Sequence, residues 1–170
     1  MCTVGLALLG QIGHKCRIMA SLVEILTTSE TRPRVVRACA DLIDAEVASK
    51  RGISGLAVKA GYRLVRAVKP TMVSDVVGRL LPEFAGAMEP FYEASLEVAT
   101  AESRPLARVF AERLTSDDVG VAEALLQVTD RRAERASGPL LKTYKKLRGT
   151  ALEHVRLAVP GLAKTISPFV

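Results

Sequence analysis

Proline and glycine cut this chain into lengths that suit helices, and no stretch between the breaks alternates apolar and polar residues as a strand does. Valine is frequent, but it recurs three and four residues apart beside alanine and leucine, the spacing of one helix face. Such a chain can fold only by burying helix faces against one another. The expected elements begin with a short helical turn at Ser21–Leu26 and a helix from Pro33 to about Lys50. Another, capped by Ser54, ends at Lys69 before Pro70, and the next covers Met72–Leu81. Pro82 and Pro90 are expected to divide Glu83–Thr100 into a short helix and a longer one. Further helices run from Pro105 to Leu114, from Asp117 to Arg135 behind a cap at Thr115 or Ser116, and from Pro139 to Val159, stopping at Pro160. With 170 residues, 49% of them apolar, the chain is long enough to fill one core. The predicted fold is all-α: a compact irregular bundle of about six to eight helices.

Helix wheels refine this. At about 100° per residue, Ile53–Lys69 is apolar around most of its circumference. Ile53, Leu56, Ala57, Ala60, Leu64, Ala67 and Val68 form one side, continued by Val58, Tyr62 and Val65. Only Lys59, Arg63 and Arg66 make a charged strip. A helix apolar nearly all round is enclosed by others, so this segment is expected at the centre of the bundle, with Gly55 and Gly61 admitting close backbone approach. Arg34–Ser49 reads as an outer helix, with Val35, Val36, Cys39, Leu42, Ile43 and Val47 inward and Arg37, Asp41 and Asp44 opposite. Pro139–Val159 turns Leu140, Tyr144, Leu147, Ala151, Val155 and Ala158 inward, and Arg148 projects from that apolar face. A cation there needs a carboxylate to offset its desolvation. Asp130, at the edge of the preceding helix, is the candidate.

Basic charge is the one feature above background. The chain carries 24 Lys and Arg against 18 Asp and Glu, a formal net charge of +6. Between Val47 and Ser74 lie Lys50, Arg51, Lys59, Arg63, Arg66 and Lys69 with no acid. A second zone holds Arg131, Arg132, Arg135, Lys142, Lys145, Lys146 and Arg148 against Glu134 alone. A solvated face with ion pairs to Glu46, Glu89, Glu93 and Glu97 accounts for this most simply. A site for an anionic group is the second account, with Lys59, Arg63 and Arg66 as its candidates. Nucleic-acid binding ranks third, because few aromatics are present for stacking and acids are interspersed elsewhere.

Catalytic and metal motifs are lacking. His14 and His154 lie far apart and no HExxH occurs, so no metal or cofactor is expected. Cys39 falls within an apolar face and reads as a packed thiol. Three cysteines without a CxxC pair exclude a disulfide scaffold and a four-cysteine zinc site. The GxxG of KRGISG (50–55) occurs in nucleic-acid-clamping KH domains, but the sheet of that fold is missing. No glycine pattern forms a phosphate loop, and no apolar run is long enough to span a membrane. Thr3–Gly13 resembles a signal peptide but lacks its basic start and its small-residue cleavage site. Residues 1–18 are therefore expected to be a loose extension or a mis-assigned start before Met19, and residues 19–170 a single helical domain in the cytoplasm.

Three stretches, KRGISGLAVKAGYRLVRAVKP (50–70), LLPEFAGAMEPFY (80–92) and LLQVTDRRAERA with KTYKKLRGTA (125–136, 142–151), resemble an uncharacterised bacterial family of small helical proteins, a domain of unknown function. The resemblance covers about Ala20–Ile166. It implies a single helical domain and bacterial origin, and it carries over no activity, ligand or catalytic residue. The expected function is a non-enzymatic binding or interaction module, for an anionic ligand or an acidic protein. Nucleic acid or an anionic membrane surface is the alternative partner, and an enzyme with an unrecognised site is the third class.

Overall fold

The structure of the protein is a computed structural model that describes residues 20–49, 56, 59–60, 62–63, 66–67, 69–135 and 139–170, with side chains in the last stretch at 145 and from 148 onward. Six α-helices stand among the described residues: α1 Leu22–Thr27, α2 Thr31–Ser49, α3 Met72–Ala101, α4 Leu106–Ser116, α5 Asp118–Glu134 and α6 Pro139–Ile166. A 3-10 turn, Ser167–Phe169, closes the chain. No strand occurs among these residues. The extension at 1–18, Gly55 and Gly61, and the side chains of Leu140, Tyr144 and Leu147 lie outside the described residues.

Among the described helices the hub is α3. Leu81, Ala85, Met88, Tyr92, Ser95 and Ala99 are buried at alternating steps of four and three residues, one unbroken stripe along the helix. Helices α1, α2, α4 and α5 all pack on α3. None of the described residues between 56 and 67 is buried, and Leu56 is 69% exposed. Of the side expected inward, Leu56, Ala60 and Ala67 are exposed, while Ile53, Ala57, Leu64 and Val68 lie outside the described residues.

Pro82 and Pro90 do not divide α3, which runs 30 residues through both. A proline inside a helix lacks an N–H and presses on the carbonyl four residues back. Here those carbonyls belong to Gly78 and Gly86, where no side chain resists a tilt of the peptide. The Gly78 carbonyl then accepts from Arg32 Nη2 of α2 at 2.9 Å. Gly86 and Pro90 are exposed. Helix α6 likewise passes Pro160, which is exposed while Val159, Ala163 and Ile166 are buried.

Local signals set the other boundaries. Six residues are too few for α1 to stand alone. Its first donors are all satisfied: Leu22 N and Val23 N donate to the Glu89 carboxylate of α3 at 2.9 and 3.4 Å, Glu24 N to Ser21 Oγ at 3.2 Å, and Ile25 N to Ser21 O at 2.9 Å. Asp117, rather than Thr115 or Ser116, caps α5 by accepting from Gly120 N at 3.0 Å. Phe110 of α4 is fully buried and meets Tyr92 edge-on, ring centroids 5.8 Å apart. Helix α6 packs on α2, α4 and α5, and Gly161 brings it close to α2: a methyl group there would lie 2.8 Å from Leu42 Cδ1.

Glu89 is thus a helix cap supplied by another helix. Glu89→Ala should lower stability by about 1–2 kcal/mol, the cost of a lost cap and stranded donors. Amide exchange should accelerate first at Leu22–Leu26. Equal loss of protection throughout the chain would show that the contact does not hold α1 specifically.

Candidate functional site

The strip expected to bind an anion is split by the structure. Asp44, on the second half of α2, accepts from Arg66 Nη1 at 3.2 and 3.1 Å and from the Tyr62 hydroxyl. Arg66 and Asp44 are each about 40% exposed, so solvent weakens their attraction. Burial raises the Tyr62 hydroxyl above its ordinary pKa, and the Asp44 carboxylate raises it further. The hydroxyl therefore stays protonated and donates throughout the neutral range.

Lys59 and Arg63 are different. Among the described residues, neither has a carboxylate within ion-pair distance. Both line a pocket of about 230 Å³, together with Asp44, Val47, Ala48 and Tyr62. Three cations against one carboxylate leave two positive charges at this place. Low-dielectric walls formed by Val47, Ala48 and the Tyr62 ring concentrate their field. Glu89, one of the acids expected to neutralise the strip, is instead occupied at the start of α1. The sequence reading had put Asp44 on a solvated face. Its only local signal was Tyr62 and Arg66, four residues apart on one strip and able to reach a common acceptor.

In the second basic zone, Arg132 and Arg148 are matched by carboxylates. Arg148 donates through Nε to Asp130 at 2.9 and 3.1 Å and through Nη2 to Glu123 at 3.1 Å. Its side chain is 27% exposed, half-buried rather than sealed. Arg132 is held by Glu83 and lowers its carboxyl below the usual range. Arg156 lies 3.3 Å from Asp118 and 3.5 Å from Glu153.

A cavity of about 140 Å³ lies beneath α2. Helices α3 and α6 share α2, α4 and α5 as neighbours but do not pack closely on each other, and the gap between them is this cavity. Its walls are apolar throughout, with Leu42 and Ile43 from α2, Val77 and Phe84 from α3, and Leu162 from α6. Cys39 also lines it, and burial pushes the thiol up to about 11. A thiol so protonated is no nucleophile at neutral pH. His154 is exposed. No group of three His, Cys, Asp or Glu is placed to hold a metal among the described residues.

Two measurements check this electrostatic picture. Because water reaches Arg148 and Glu123 backs up Asp130, Asp130→Ala should cost only about 1 kcal/mol and Arg148→Met no more, by denaturant unfolding. A loss near 3 kcal/mol for Asp130→Ala alone would mean that Arg148 is effectively desolvated. At pH 7.5, iodoacetamide should label Cys39 about 100-fold more slowly than a free thiol, as a rise of about two pKa units implies. Site-resolved mass spectrometry reads this, and labelling at the free rate would refute the burial.

No described helix is long and apolar enough to cross a membrane. No curated protein matches the chain, and no solved structure does. A family model, described as a family of unknown function, matches residues 22–170, which begins at the first residue of α1 and takes in every helix described above. The chain belongs to that family, DUF6918.

Proposed function

We propose that the protein is a non-enzymatic binding module that takes an anionic group, a phosphate or a carboxylate, at Lys59 and Arg63. The observation that carries this reading is a pair of cations that, among the described residues, have no carboxylate within ion-pair distance and line a pocket of about 230 Å³. Asp44 does not neutralise them, because its oxygens already serve Arg66 and Tyr62. The group arrives on a small molecule or on an acidic segment of a protein. A cytoplasmic location belongs to the same reading and accords with the free thiol of Cys39. Nucleic acid is the weaker alternative, since Arg132 and Arg148 are engaged by carboxylates and a backbone-tracking protein keeps its cations free.

Titration with inorganic phosphate should produce saturable amide shifts at Lys59, Tyr62 and Arg63, weakening as salt is raised. Arg63 is exposed, so Arg63→Glu should leave the thermal midpoint nearly unchanged. The same change should reduce phosphate affinity at least tenfold, equivalent to about 1.4 kcal/mol. Shifts that are absent, or unaltered in Arg63→Glu, would end this reading.

A further inference from the structure

The apolar cavity and the cationic pocket both border α2. Ile43 lines the first and Val47 the second. These residues are one turn apart, about 6 Å along the axis and about 40° around it. The two spaces therefore flank a single ridge of α2, one turn apart.

Each space selects a different chemistry. The cavity of about 140 Å³ offers no polar wall, so a water inside it would have no hydrogen-bond partner. Apolar cavities of roughly this size stay dry and accept a benzene-sized group or a short alkyl segment. The pocket at Lys59 and Arg63 offers two cations that, among the described residues, have no carboxylate within ion-pair distance. Charge complementarity at one end and apolar walls at the other define one kind of molecule.

We infer that the protein binds a single-chain amphipathic anion, its phosphate or carboxylate head at Lys59 and Arg63 and its alkyl tail in the cavity between Ile43, Val77 and Phe84. This rests on the anion site proposed above and adds the tail. Partition of the tail from water supplies affinity that a bare phosphate lacks, and the head fixes which way the chain lies. Cys39, in the cavity wall, is covered when the tail is in place.

The probes are octyl phosphate, kept below its micelle concentration, inorganic phosphate and neutral octanol, each titrated into the full chain by calorimetry. Octyl phosphate should bind at least tenfold more tightly than either of the others and should slow alkylation of Cys39. Arg63→Glu should weaken octyl phosphate at least tenfold. Val77→Phe, which fills the cavity, should lower octyl phosphate to the level of inorganic phosphate while leaving the latter unchanged. Should that variant fail to fold, protection of Cys39 in the unaltered protein reads the tail directly. If octyl phosphate binds no more tightly than inorganic phosphate, the tail assignment is overturned and the anion site stands. If octyl phosphate binds tightly but Arg63→Glu makes no difference, the head assignment is overturned. If neither phosphate binds, both readings fail together. Binding to vesicles of anionic phospholipid, without protection of Cys39 by octyl phosphate, would identify a membrane surface and overturn the soluble ligand.

Discussion

Everything in this bundle depends on α3 remaining one helix through Pro82 and Pro90. Its buried stripe from Leu81 to Ala99 is the surface on which α1, α2, α4 and α5 assemble. A kink at either proline would rotate one half of the stripe away from its partners. Continuity is secured cheaply. Each proline faces a glycine four residues back, and the carbonyl left without an amide at Gly78 finds Arg32. The apolar cavity follows from the same geometry, because α6 packs on the neighbours of α3 rather than on α3 itself.

The charges are organised by a second constraint. With 24 cations and 18 carboxylates, some cations must go unmatched, and what matters is where. Glu89 caps α1, Glu83 holds Arg132, Asp130 and Glu123 hold Arg148, and Asp44 holds Arg66. Most of these pairs are too exposed to add much stability. Lys59 and Arg63, with no carboxylate within ion-pair distance among the described residues, stand beside a pocket.

Much of the fold was legible in the residues. The helical class, the termini of α2, α4 and α5 to within a few residues, and the short α1 all follow from period, caps and breaks. Arg148 and Asp130 were readable as neighbours because a cation on an apolar helix face has few ways to be tolerated. At Leu56, Ala60 and Ala67, which are exposed, periodicity is no measure of buried area. Pro82 and Pro90 carried a signal that went unread: the repeated glycine four positions earlier, in GRLLP and GAMEP, marks a helix able to absorb a proline. For the site, the strip Lys59, Arg63 and Arg66 was visible as charge alone. Its division into one paired and two unpaired cations was not.

By itself the sequence determined that this protein is built of helices and which faces of most of them are apolar, because those properties depend on residues three and four apart. Only the tertiary structure decided which long helix sits at the centre, that Glu89 closes the end of α1 rather than a basic strip, and that Asp44 takes Arg66 and Tyr62 while Lys59 and Arg63 face a pocket. Those outcomes join residues far apart in the chain, such as Leu22 with Glu89 and Asp44 with Arg66. A helix wheel shows the direction in which a side chain leaves its own axis, and the partner it meets depends on how the helices are set against one another.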